Sequence, residues 1–212
     1  MDSLKPLLTN NRTWAQENKT QDPDFFSRLS AGQSPQYLWI GCCDSRVPAE
    51  MLTGAQPGDL LVHRNVANMV LHDDTNCLSV LQFAVEALKI KHIVVAGHYD
   101  CGGVKAALNG GVSGKLGCWL HHLEDIYQQH KAQFDLLTDE EERINLLCEL
   151  NVAHQVVNVA NTTTVRKAWQ NHFPLTIHGC IYDIGDGLLK EIGVSVNGPD
   201  AIPAQFQSAD HG

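Results

Sequence analysis

"HIVVAGHYDCGGVKAAL", residues 92–108, decides how this chain folds. Its first seven residues form a short apolar run rich in β-branched side chains, closing at His98. A turn carrying Cys101 and two glycines then leads into a new helix. A run apolar at nearly every position suits a strand buried on both faces, the condition of a parallel sheet. Runs of the same kind stand at "YLWIGC" (37–42), "DLLVHR" (59–64) and "LTIHGCIY" (175–182).

Helical periods lie between them. Leu78, Leu81, Val85 and Leu88 make one apolar stripe over 75–89. Leu147, Leu150, Ala153, Val157 and Ala160 do the same over 139–160, where "TDEE" predicts a capping box with Thr138 as cap and Glu141 reaching back. The first 30 residues read as two helices, the second opening at "DPDFF". "LLKEIGVSV" (188–196) adds an edge strand. The expected fold is α/β: a central, mostly parallel sheet of four strands plus a C-terminal edge strand, flanked by helices, with an N-terminal helical arm. Residues 1–212 read as a single domain, with the arm over 1–34 and the core over 35–212.

A net charge of −9 argues against a phosphate-tracking nucleic-acid binder and against a basic membrane-surface protein. No apolar run reaches the roughly 18 residues that span a bilayer, and "MDSLKPLLTNNRTW" lacks the pattern of a secretory signal. The expected location is cytoplasmic, so the sequons at Asn11, Asn18 and Asn161 carry no meaning. Seven cysteines, an odd number without scaffold spacing, then read as buried hydrophobes, metal ligands or nucleophiles.

Ligands of open α/β sheets bind beyond the carboxyl ends of the strands. Cys42 ends one strand, His98 ends another, and Cys101 follows in the turn. Topology thus brings Cys, His and Cys to one crevice, a donor set that favours zinc and leaves a fourth position open. The competing reading is two buried thiols and a satisfied turn histidine. Alternation along "IGCCDSR" puts Cys42, Asp44 and Arg46 on one side and turns Cys43 to the other, where it packs against the sheet. Arg46 can hold the Asp44 carboxylate ionised through paired hydrogen bonds; the alternative is an ordinary surface ion pair.

"CCDSR" (42–46), "HRNVAN" (63–68) and "HYDCGG" (98–103) resemble, in order and spacing, the signature blocks of the β-class carbonic anhydrases. The likeness extends through "DPDFF", "CLSVLQFAVEAL" and "TIHGCIYDIGDG", over nearly the whole chain. It implies reversible, zinc-dependent hydration of CO₂ to bicarbonate and a proton, with zinc-bound hydroxide as nucleophile. It implies one Zn²⁺ per chain on Cys42, His98 and Cys101, and Asp44 and Arg46 as the catalytic pair. The likeness points to the bacterial, bicarbonate-regulated type, in which Asp44 becomes a fourth ligand in a closed state. Trp39, Arg64 and Tyr182 stand at the positions of the bicarbonate pocket, and inhibition by bicarbonate and low pH follows. Expected partners are CO₂, water and bicarbonate, and a homodimer paired into a dimer of dimers through the arm, with no nucleic acid and no membrane.

Rival readings are a carbonyl sulfide or carbon disulfide hydrolase on the same ligands, and a noncatalytic zinc- or bicarbonate-binding protein. His121, His122 and His130 read as solvated helix residues or, less expectedly, a proton shuttle. Cys77, Cys118, Cys148 and Cys180 are expected to fill core space, His63 and Asn65–Asn68 to organise a loop, and "NGGVSGKLG" (109–117) to be a flexible loop.

Overall fold

The computed structural model describes residues 3–206. The chain divides into two compact units, Met1–Ser34 and Pro35–Gly212. The first holds helices α1 (Lys5–Gln21) and α2 (Phe25–Ser30). Trp14 meets Phe25 and Phe26 edge-on, at centroid distances of 6.1 and 5.6 Å. α1 buries none of its residues, and Leu7 and Leu8 are exposed.

The second unit runs β1 (Tyr37–Cys42), α3 (Ala49–Thr53), β2 (Leu60–Asn65), α4 (Thr75–Gln82, continued by a π turn at Phe83–Ala87) and β3 (His92–His98). There follow α5 (Gly102–Asn109), α6 (Gly114–Gln129), α7 (Lys131–Phe134), α8 (Glu140–Asn161), α9 (Thr163–Gln170), β4 (Thr176–Asp183) and β5 (Leu188–Val196). The sheet order is β2-β1-β3-β4-β5, parallel except for β5, which pairs antiparallel with β4. The four expected strands and the edge strand are all present.

Side-chain alternation divides the strands between two faces. Leu38, Ile40, Ile93, Val95, Ile177 and Ile181 point into the large core, which also takes in Leu147, Val152 and Val156 of α8. Trp39 and Ala96 belong to a smaller cluster on the other face, with Ala49 and Leu52 of α3. Gly97 allows α8 its close approach: a Cβ there would lie 2.5 Å from Val152 Cγ2.

α8 also carries polar side chains, buried at Asn151 and Gln155 and half-buried at Asn158, that bind the turn after β2. Asn151 donates to the Ala67 carbonyl at 2.9 Å, Gln155 accepts from Val70 N at 2.8 Å, and Asn158 donates to the Val70 carbonyl at 3.0 Å. Ala67 and Asn68 adopt left-handed backbone (φ 63° and 48°), so this turn is held from outside rather than by local preference.

Two local expectations are corrected. The cap of α8 is Asp139, which accepts from Glu142 N at 2.9 Å, and not Thr138. The run "TDEEE" offers the same spacing twice, and a carboxylate makes the stronger, charge-assisted bond at a helix N-terminus. Residues 109–117 are not one loop either: α6 begins at Gly114. Its residues Leu120, Leu123 and Ile126 are buried and anchor the helix back to its first turn.

Candidate metal centre and acid–base pair

β1 and β3 are hydrogen-bonded neighbours, so their carboxyl ends deliver Cys42 and His98 side by side. Cys101 stands at the N-cap position of α5. The ligand atoms of Cys42, His98 and Cys101 all lie within 4.8 Å of one another, and all three residues are buried. The two Sγ atoms are 3.9 Å apart. Hydrogen bonding from the Cys101 thiol holds Cys42 well below the usual thiol range, and the same contact together with burial pushes Cys101 above it.

His98 Nδ1 lies 2.8 Å from the Tyr99 carbonyl. A carbonyl only accepts, so Nδ1 carries the proton and Nε2 presents its lone pair. That buried Nε2 has no hydrogen-bond partner. A buried polar atom without a partner is costly, and a metal ion is the partner this one fits. Two thiols and an imidazole with an outer-shell carbonyl match zinc, with three protein donors and a position left over.

Beside these donors stands the carboxylate. Asp44 Oδ1 accepts from Arg46 N at 2.9 Å and from Arg46 Nε at 3.0 Å, while Oδ2 accepts from Arg46 Nη2 at 2.7 Å. These bonds, led by that of the guanidinium, hold the Asp44 carboxyl well below the usual carboxylate range. Oδ2 is 3.8 Å from His98 Nε2. The expected pairing of Asp44 with Arg46 is therefore present, at the edge of the donor cluster.

Cys43 corrects the expectation that it packs against the sheet: it is exposed, because β1 has ended at Cys42 and no described residue buries it in the turn that follows. Cys118 is likewise exposed on α6, whereas Cys77, Cys148 and Cys180 are buried as expected. His121 and His122 lie on α6 and His130 at its end.

The register places Trp39, Arg64 and Tyr182 on one face of the sheet. Arg64 pairs with Gly41, two residues beyond Trp39; Val94 joins Trp39 to His178, and Tyr182 is four residues further along the same strand. Trp39 is buried, and a Cβ at Gly41 would meet its Nε1 at 2.3 Å, so the indole covers this glycine. Arg64 donates from Nε to the Cys42 carbonyl at 2.8 Å and from Nη2 to the Asp44 carbonyl. This clamp on the backbone of both a candidate ligand and the carboxylate was not foreseen from sequence, since its acceptors are backbone atoms.

A second group, His63, Asp74 and Cys77, also gathers its ligand atoms within 4.8 Å. Asn65, its amide oriented by two bonds to Met69, donates to His63 Nε2 at 3.2 Å. That leaves the proton on Nδ1. Burial pushes Cys77 up to about 12. An imidazole without a free lone pair suits packing rather than ligation.

This α/β architecture, with its metal-type donors and held carboxylate at the sheet's carboxyl edge, has the make-up of a metalloenzyme. A family model described as carbonic anhydrase matches residues 37–189. A carbonic anhydrase of Emericella nidulans is 45% identical over 193 residues, covering 91% of this chain and 84% of that one. A tetrameric β-carbonic anhydrase of the ascomycete Sordaria macrospora superposes with a TM-score of 0.88 at 41% identity, over 92% of this chain and all of that one. A Coccomyxa β-carbonic anhydrase in complex with acetazolamide gives 0.90 at 39% identity, over 94% and 90%. The chain belongs to the β-class carbonic anhydrase family. Members of this class are zinc enzymes. The Emericella and Sordaria relatives are fungal, and these matches carry the class without the bacterial regulated subtype.

Proposed function

We propose that this enzyme hydrates carbon dioxide reversibly to bicarbonate and a proton, with one zinc ion on Cys42, His98 and Cys101 and the reacting water oriented by Asp44 and Arg46. The partnerless His98 Nε2, aimed at two thiols beside a held carboxylate, carries this reading. Bound zinc supplies the Lewis acidity that lets water ionise near neutral pH. Asp44 Oδ1 is occupied by two Arg46 donors, whereas Oδ2 receives one and faces His98. Oδ2 is therefore the atom that accepts a hydrogen bond from the reacting water and fixes its orientation. Arg46 keeps the carboxylate ionised as that acceptor, and the proton released by the water leaves to solvent. Stopped-flow CO₂ hydration across pH, with zinc content measured on the same sample, tests this. One zinc per chain without CO₂ turnover, but with carbonyl sulfide or carbon disulfide hydrolysis, refutes it in favour of the rival hydrolase.

We also propose regulation by bicarbonate and low pH, and the Arg64 clamp supports the bicarbonate part. Among the described residues nothing accepts from Trp39 Nε1, which leaves an indole donor for an anion on the face that carries Arg64 and Tyr182. Bicarbonate engaging Arg64 competes for the guanidinium that holds the Cys42 and Asp44 carbonyls. The freed segment lets Asp44 leave Arg46 and become a fourth ligand, closing the site. Trp39→Phe and Tyr182→Phe should each weaken bicarbonate inhibition, and unchanged inhibition in both refutes the regulatory reading.

The enzyme assembles as a homodimer and then a dimer of dimers, with the arm in subunit contacts; the exposed Leu7 and Leu8 of α1 and the tetrameric Sordaria relative support this. Light scattering on the full chain and on Leu7→Glu tests it, the variant being expected to form smaller particles. No helix among the described residues is long and apolar enough to cross a membrane. Seven free cysteines fit a reducing compartment, and the cytoplasm is the proposed location.

A further inference from the structure

Arg46 does not serve Asp44 alone. Its Nη1 donates to Asp100 Oδ2 at 2.8 Å and its Nη2 reaches the Asp100 carbonyl at 3.3 Å. With the Asp44 bonds from Nε and Nη2, the guanidinium makes four hydrogen bonds, two to the turn after β1 and two to the turn after β3. The other carboxylate oxygen of Asp100 accepts from Lys105 Nζ on α5. A chain of four charges thus runs from Asp44 through Arg46 and Asp100 to Lys105, alternating in sign.

The chain matters because Arg46 is exposed. Its side chain is 46% accessible, against 16% for Asp44. Asp100 and Lys105 also line an open cleft of about 610 Å³ with Tyr99, Glu140 and Asp183, so solvent reaches the far side of the pair. An isolated Arg–carboxylate pair at that exposure is weak and exchanges its bonds with water. A guanidinium gripped from two turns by a rigid fork is not free to do so. Asp100 holds left-handed backbone (φ 60°), a conformation that Asp, like Asn, reaches more readily than most side chains. Here it turns both the carbonyl and the carboxylate of one residue towards the same guanidinium.

We propose that Asp100, braced by Lys105, is a positioning residue for the reaction: it fixes Arg46 so that Arg46 fixes Asp44. The hydrogen-bond partners of the Asp100 carboxylate are Arg46 and Lys105, not the donor atoms of the candidate ligands. This inference rests on the functional reading above. It assigns a role to a residue that the motif "HYDCGG" carries merely as spacing between His98 and Cys101.

Asp100→Gly and Asp100→Asn test it, both replacements accepting the left-handed backbone. Asp100→Gly should lower kcat about 10-fold, the lower end of what losing an outer-shell partner costs, with KM little changed. Asp100→Asn keeps an oxygen acceptor for Arg46 and should recover kcat to within about 3-fold of the wild type. A readout independent of turnover is the solvent exchange of the Arg46 Nε–H, followed by ¹⁵N NMR in the zinc-free and zinc-loaded full chain. It should quicken several-fold in Asp100→Gly and return towards the wild-type rate in Asp100→Asn, with zinc content equal in all three. An active wild type whose Asp100→Gly variant matches it in kcat and in Arg46 exchange overturns the inference alone. A zinc-loaded wild type without CO₂ hydration overturns the functional reading, and the catalytic part of the inference with it.

Discussion

His98 and Tyr99 are chain neighbours, and the carbonyl of the second accepts from Nδ1 of the first at 2.8 Å. This bond fixes the tautomer of His98 and leaves Nε2 buried and open towards the two thiols. His98→Ala should lower zinc affinity by more than the roughly 10–100-fold that losing an outer-shell partner costs. Zinc stoichiometry after dialysis against a graded chelator checks this. Wild-type retention of zinc in the variant would remove His98 from the ligand set.

Asp44→Asn keeps the size of the side chain and removes its charge. Arg46 then donates to a neutral amide, and Oδ2 is lost as an anionic acceptor for the reacting water. Turnover should fall by about 10²–10⁴-fold, the range for losing a positioned acid–base group. Zinc content should stay at one per chain, because Asp44 in this arrangement is held by Arg46 rather than by the donor cluster.

Gly97 sits one residue before His98, with Val152 Cγ2 only 2.5 Å and Ile181 Cδ1 3.2 Å from where a Cβ would be. Gly97→Ala should therefore force α8 away from β3 and cost about 1–3 kcal/mol, read as a lower urea midpoint. Adding Val152→Ala makes room and should return part of the loss. If it does not, the close approach of α8 is not what requires glycine here.

His154 on α8 lies 2.8 Å, Nε2 to Nε2, from His130. Gln133 points its amide nitrogen at His130 Nδ1 (3.2 Å), so His130 donates and His154 accepts. Phe206 covers the His154 ring, with centroids 5.0 Å apart. Burial, and then the neighbouring His130, push His154 down to about 4 from its ordinary 6.5. Below 6.5 the unfolded chain binds a proton that the folded chain refuses, so stability is lost as pH falls towards about 4. The slope should be about 1 kcal/mol per pH unit for this one group. His154→Phe should flatten the dependence between pH 6.5 and about 5, where carboxylates contribute least. An unchanged slope would place the histidine's charge outside the folded core.

Strand apolarity and helical stripes were sufficient for the sheet, because a strand covered on both faces has no polar position to spare. They also located the ends of β1 and β3, and with them Cys42, His98 and Cys101 at one edge. The parity that set Cys42 apart from Cys43 assumed an extended segment through Arg46, but β1 ends at Cys42 and the chain turns at Ser45–Arg46, so the pairing of Asp44 with Arg46 comes from that turn and not from alternation. The fate of Cys43 was not legible, because burial depends on what covers a turn and not on which way a residue alternates.

The sequence by itself determined the strand order's raw material, the donor types and the family motifs. Tertiary structure decided what those residues share. Arg64 grips two carbonyls, α8 binds the Ala67–Val70 turn through Asn151, Gln155 and Asn158, and Asp100 shares Arg46 with Asp44. The first two sets use backbone atoms, which every sequence supplies alike. The third joins residues 54 positions apart. Pairings of this kind exist only once the sheet has brought its strand ends together, so no local pattern records them.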